Sequence, residues 1–175
     1  MRYRLKALAA VLVVLGCHGP RPATSGLPQG GEDVNALRIH RLARAANRLD
    51  IAGIEVALSR RSEPGAWAWP KGPIRVSRAL VDLADDDELA AALAHELGHL
   101  SADGTWHGPL ASLEGTTNPD AEARADELGC RLLALRGIPP AAAVRLLEKL
   151  GVAAARVANA RANCAQLSAS SAAPR

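Results

Sequence analysis

The chain has 175 residues, 49% of them apolar, which suits one domain around a single buried core. Its formal charge of +3 is matched by Arg2, Arg4 and Lys6 at the amino terminus, so the remainder is neutral. A neutral body whose only aromatics are Tyr3, Trp67, Trp69 and Trp106 has neither the basic footprint nor the stacking platforms of a nucleic-acid binder, and that class is excluded. The apolar share is mostly Ala, Leu and Val, which favours helices packed through small residues.

Arg2, Arg4 and Lys6 precede an apolar run over 7–15, the charged and apolar regions of a signal peptide spanning 1–16. The run is too short for a membrane span, which needs about 20 apolar residues. It ends in Val14-Leu15-Gly16-Cys17, which resembles the lipobox of bacterial lipoproteins, where cleavage before the cysteine is coupled to lipid attachment on its sulfur. This resemblance implies a chain lipid-anchored at Cys17 in the bacterial cell envelope, and His18 in place of Asp implies the outer membrane, facing the periplasm. Residues 17–31, rich in Gly, Pro, Ser and Thr, read as the lipidated flexible tether of a domain over 32–167. With Cys17 lipidated, Cys130 and Cys164 remain as an even pair in an oxidising compartment and are expected to form a disulfide.

Along the domain, Leu37, Leu42, Ala46 and Leu49 recur at near-helical spacing and predict an amphipathic helix over 34–49. The alternation at 54–58 returns at 74–76 and predicts a small antiparallel sheet. Residues 67–71 would run along one edge, where Pro70 and Pro73 are tolerated. Asp85 and Glu88 form a capping-box pattern that opens a helix reaching about residue 102. That helix is small or apolar on nearly every face except at Glu96, so it belongs in the core. A Gly/Thr/Ser loop containing Trp106 and His107 follows, then a helix capped by Asn118 with Pro119 in its first position and Gly137 at its end. A third helix spans 140–150 and stops at Gly151, and a fourth runs to about 167, leaving 168–175 as a disordered tail.

His95 and His99, four apart on the core helix, project from one face, so their imidazoles can bind one zinc while Glu96 accepts a proton from the metal-bound water. Buried without such a partner, these groups would each lose hydration at a cost of several kcal/mol for an unpaired charge. A catalytic zinc needs a third protein ligand. The extended motif asks for a glycine at position 102 and a histidine at 105, where this chain has Ala102 and Thr105. Asp103 or His107 can reach from the following loop. Glu122 is better placed, early in the next helix, with Asp126 one turn later on the same face.

HExxH followed by E-x-x-x-D on a second Ala/Leu-rich helix resembles the M48 family of zinc metallopeptidases, here in a small bacterial lipoprotein form. The resemblance covers roughly residues 65–150. It includes Ala66-Trp67-Ala68-Trp69-Pro70 with Gly72, Asp87-Glu88-Leu89, Gly137-Ile138-Pro139-Pro140 and Leu146-Leu147. It implies an α+β fold, a mainly helical zincin-type (gluzincin) metallopeptidase domain with a small sheet. It implies one Zn2+ per chain held by His95, His99 and Glu122, with Glu96 as general base and Asp126 orienting a ligating histidine. The implied function is a zinc-dependent endopeptidase acting on extended or unfolded protein substrates of the envelope, held by strand addition at 66–69 and kept at the membrane by the lipid anchor. Trp67 and Trp69 read equally as core packing.

The chain also departs from the family, which often carries a His or Arg soon after the zinc helix and a His-Pro motif beyond the third helix. Here the loop is Gly/Thr/Ser, and Val152-Ala153-Ala154-Ala155 stands at the second place. His107, Arg124 and Arg131 are the candidates for stabilising a tetrahedral intermediate. The alternative function is a non-proteolytic, zinc-containing envelope chaperone or assembly factor, against which Glu96 argues because a structural zinc needs no base. A structural zinc module would need Asp103 or His107 as fourth ligand.

Overall fold

The computed structural model of the protein describes residues 30–51, 53–68, 72–101 and 118–171. The predicted signal peptide, Cys17, most of the tether, Trp69, Pro70, Lys71 and the loop with Asp103, Trp106 and His107 lie outside these residues. The elements run α1 (Gly30–Leu49), β1 (Val56–Ser59), β2 (Ala66–Trp67), β3 (Ile74–Ser77), α2 (Arg78–Leu83), α3 (Asp86–Ser101), α4 (Pro119–Leu135), α5 (Ala141–Lys149) and α6 (Ala154–Ser171). This is the expected α+β arrangement, helices dominating over a small sheet.

Local chemistry places the helix ends. The Asp85 N–H donates to Glu88 Oε2 and the Glu88 N–H to Asp85 Oδ1, both at 2.8 Å, so the capping box opens α3 as read. Asn118 Oδ1 accepts from the Asp120 N–H at 3.0 Å, with Pro119 leading α4. Gly137 and Gly151, at φ +67° and +66°, terminate α4 and α5 in the left-handed region that glycine enters without a Cβ penalty. The short α2 escaped the sequence reading because six residues are too few for a helical period. Its cap is Ser77, whose buried Oγ accepts from the N–H groups of Leu80 and Gly65, each at 3.0 Å.

The sheet is mixed, not antiparallel throughout. Its order is β1-β3-β2, with β1 parallel to β3 (Val56 opposite Ile74) and β2 antiparallel to β3 (Ala66 opposite Val76). Alternation specifies which face a residue takes but carries no strand direction. The segment between the two alternating runs supplies β2, which takes the hairpin position beside β3 and leaves β1 the opposite edge through a crossover.

Three other expectations need correction. Leu37, assigned to the buried face of the first helix, is 60% exposed, because that helix meets the core only along its later turns through Leu42, Ala45 and Leu49. The helix also begins at Gly30, inside the predicted tether. At the other end α6 continues to Ser171 rather than ending near 167, since extending an existing helix costs far less than starting one; only 172–175 of the expected tail lie outside the described residues.

The main core is built on α3, whose Leu89, Ala90, Leu93, Ala94 and Leu97 are buried against α1, the sheet and α4. A second, smaller cluster of Cys130, Val144, Leu147, Val157, Ala160 and Cys164 joins α4, α5 and α6, and Cys130 and Cys164 are linked by a disulfide. Arg41 ties α1 to the α2–α3 junction through the carbonyls of Val81 and Ala84, at 2.5 and 2.7 Å. The fully buried Glu88 receives Lys149 Nζ at 2.7 Å and so fastens α5 to the start of α3.

Helices α3 and α4 approach backbone to backbone. A Cβ on Gly98 would fall 2.7 Å from the Ala125 carbonyl oxygen and 2.8 Å from its Cα, and one on Gly129 would fall 3.2 Å from the His95 nitrogen. Overpacking of this kind costs about 1–3 kcal/mol. Gly98→Ala is therefore expected to lower the stability of the metal-free protein by that amount in urea denaturation, and Gly129→Ala by less. A Gly98→Ala midpoint equal to that of the parent would contradict the close crossing.

Candidate metal centre

Helical spacing sets His95 and His99 one turn apart on the α3 face that meets α4, with their Nε2 atoms 3.0 Å from each other. Glu122 enters from the first turn of α4. Its Oε2 lies 3.4 Å from His95 Nε2 and its Oε1 lies 3.5 Å from His99 Nε2. Ligand bonds of about 2.0–2.2 Å in a tetrahedron hold donor atoms roughly 3.3–3.6 Å apart. The three side chains, whose donors all lie within 4.8 Å of one another, thus form one face of such a tetrahedron, and no fourth His, Cys, Asp or Glu joins them among the described residues.

The surroundings fit a cation. Asp126 Oδ1 stands 2.8 Å from His95 Nδ1, which turns Nε2 of the same ring towards the Glu122 side. Glu96 is buried beside the histidines, and its Oε2 has no hydrogen-bond partner. Such an orphaned carboxylate oxygen in a core helix is costly unless a proton-bearing ligand arrives to meet it.

One group at the centre was missed in the sequence. Arg156, from the first turn of α6, places Nη1 2.7 Å from Glu122 Oε2, Nε 2.9 Å from Asp126 Oδ2 and Nη2 3.0 Å from Asp126 Oδ1. Its Nη2 also lies 3.4 Å from His95 Nε2. The Ala-rich stretch after Gly151 reads as lacking a functional residue. The available signal was an arginine beside Val157 and in four-residue spacing with Ala160 and Cys164, the spacing of one helix face.

These neighbours separate the titrations. Burial opposes a charge on His95, yet the Asp126 and Glu122 carboxylates outweigh it and raise His95 to about 10. Burial, aided by the positive His95, lowers His99 to about 4. Glu96 rises to about 7 through burial, partly opposed by His95 and reinforced by Glu122. Asp126 resists the effect of burial because His95 and Arg156 hold it at about 2. Glu122 is likewise held below the ordinary carboxylate value: burial pushes it up, and His95, Arg156 and His99 together pull it down further.

Of the residues singled out in the sequence, His95, Glu96, His99, Glu122 and Asp126 therefore meet at one place. Arg124 is on the exposed face of α4, and Arg131 pairs with Glu127 at 2.5 Å, so neither reaches the centre. Trp67 is buried, with Arg61 4.6 Å above its ring, and serves packing at the sheet edge. Asp103 and His107, the loop alternatives for a ligand, lie outside the described residues.

Comparison with known proteins agrees with this geometry. The model of Peptidase family M48 matches residues 33–107, the stretch that contains both histidines and Glu96. The metalloprotease YcaL of Escherichia coli K12 is 32% identical over 65 residues, covering 37% of this chain and 26% of that protein. A protease HtpX homolog from Salinibacter ruber is 33% identical over 79 residues, covering 41% of this chain and 29% of that protein. The chain thus aligns with between a quarter and a third of the length of these relatives. Glu122, Asp126 and Arg156 lie beyond the family match, and their place at the centre rests on the fold.

The His95 shift has a sign that can be measured. A folded-state value raised from 6.5 to about 10 gives a stabilisation that is complete below 6.5 and lost as pH climbs through about 10. The metal-free protein is expected to lose thermal stability as pH rises across that window, and His95→Gln should remove this slope. Metal binding must displace the same proton, so zinc affinity should rise with pH over the same range. A parent protein with a flat stability profile would contradict the assignment.

Proposed function

From its match to peptidase family M48 over residues 33–107, we propose that this chain is a zinc-dependent endopeptidase acting on unfolded or misassembled proteins of the bacterial cell envelope. The observation that carries the reading is Glu96, a buried carboxylate with an unpartnered oxygen beside a three-donor set that no fourth ligand joins among the described residues. A structural zinc site closes its fourth position and needs no base.

In this reading His95, His99 and Glu122 hold one zinc, which would polarise the peptide carbonyl and lower the pKa of its water towards about 7. Glu96, buried beside the histidines, would be the general base for that water and would return the proton to the leaving nitrogen. A hydrogen bond with the Ala68 backbone ties Glu96 to the residue that follows β2. Because β2 is an edge strand, its outer backbone groups offer an extended polypeptide a row of partners directly beside the base. An unfolded chain takes that strand conformation readily.

Placement in the envelope is part of the proposal. The basic and apolar run before Cys17 supports a lipid anchor, and the Cys130–Cys164 disulfide suits an oxidising compartment. No helix among the described residues is long and apolar enough to cross a membrane.

Metal analysis and casein cleavage test the reading together. The parent protein and Glu96→Gln are each expected to bind one zinc, while Glu96→Gln should lose about 10²–10⁴-fold in cleavage rate. Zinc bound without Glu96-dependent cleavage of any unfolded substrate would leave the non-proteolytic alternative, a chaperone or assembly factor. Cys17→Ala should move the protein from the membrane fraction to the soluble one.

A further inference from the structure

Helix α6 delivers Arg156 to the centre, yet little of α6 is held by apolar packing. Among its described side chains Val157, Ala160 and Cys164 are buried and Leu167 packs partly buried against them, while Ala154, Ala155, Ala158, Asn159, Arg161, Ala162, Ala165 and Gln166 are exposed. A helix of this length is marginal in water without tertiary support, and three small buried side chains with a half-buried Leu167 supply a modest share of it. The small cluster and an Arg161–Glu148 ion pair also join it to α5, and its contact with the centre lies along one seam with α4. Glu122, Asp126 and Cys130 follow one another at four-residue spacing on α4, and Arg156, Ala160 and Cys164 do the same on α6. Arg156 meets Glu122 and Asp126 at one end of the seam, and the disulfide closes the other, spanning 34 residues of sequence.

We propose that the Cys130–Cys164 bond is a redox latch that docks α6 and thereby positions Arg156 against Glu122 and Asp126, so that the centre is complete only after the two thiols have been oxidised. The oxidant is an external disulfide, from a small molecule or a disulfide-donor protein. The thiolate of one cysteine attacks it and expels one thiol. The second cysteine thiolate then attacks the mixed disulfide and expels the other, so two electrons and two protons end on the two released thiols. With the latch open, Glu122 and Asp126, one turn apart on α4, lose the guanidinium that bridges them and keep only His95, so the buried pair is left with less positive charge than it needs. The proposed peptidase would then become competent only in an oxidising compartment. That consequence rests on the function proposed above, whereas the docking of α6 and its effect on metal affinity do not.

Three measurements test the latch. In metal-free full-length protein, reduction is expected to speed hydrogen exchange of the α6 amides by about tenfold or more and to leave α3 protected. In the oxidised protein, Arg156→Ala should lower zinc affinity by about 10–100-fold with α6 still protected, and Arg156→Lys should recover part of the loss. In the Cys130→Ser/Cys164→Ser protein, zinc affinity should fall comparably, and adding Arg156→Ala should cost little more, since Arg156 has already left. Should the serine pair fail to fold, Cys130→Ala/Cys164→Val refills the seam without a bond and serves in its place. Unchanged α6 protection on reduction would overturn the latch, as would a full Arg156→Ala loss in the bond-free protein. If casein is never cleaved by the oxidised parent, the peptidase reading fails, while exchange and zinc affinity still judge the latch.

Discussion

Everything at the centre depends on how closely α3 and α4 can approach. Gly98 lies against the backbone of Ala125 and Gly129 against that of His95, so no side chain separates the helices where they cross. Only at that separation does a carboxylate as short as Glu122, one turn into α4, reach between two imidazoles on α3. The small residues that dominate the composition are thus a geometric requirement of the site as much as a source of helix propensity.

The close crossing creates an electrostatic problem that the fold answers with pairing. Three carboxylates and two histidines share a largely buried volume, where an unpaired charge is expensive. Asp126 is neutralised by His95 on one side and Arg156 on the other, and stays strongly acidic. Glu96 faces burial and a like charge on Glu122, with His95 as partial relief, and becomes a weak acid. Two carboxyl groups one helix apart are thereby suited to different tasks, one to hold a ring in place and the other to exchange a proton near neutral pH.

The cation that balances this set comes from α6, the least apolar of the helices at the centre. Its attachment combines an ion pair, a few small side chains and a covalent bond, in contrast to α3, which is packed on nearly all sides. The site therefore joins two helices of the main core, α3 and α4, to a cation delivered by α6 from the smaller cluster.

Some of this was determined by the sequence alone. The cap at Asp85 and Glu88, the start at Asn118 and Pro119, and the stops at Gly137 and Gly151 are local hydrogen-bond and backbone effects, so they read directly from neighbouring residues. The pairing of His95 and His99 is equally local, because four residues make about one helical turn. Only the tertiary structure decided the rest. Strand direction in the sheet, the exposure of Leu37, the convergence of Glu122 on the histidines and the arrival of Arg156 from 61 residues beyond His95 all depend on which surfaces meet. Periodicity reports the face a residue occupies on its own element, and it carries no information about the partner that face will find.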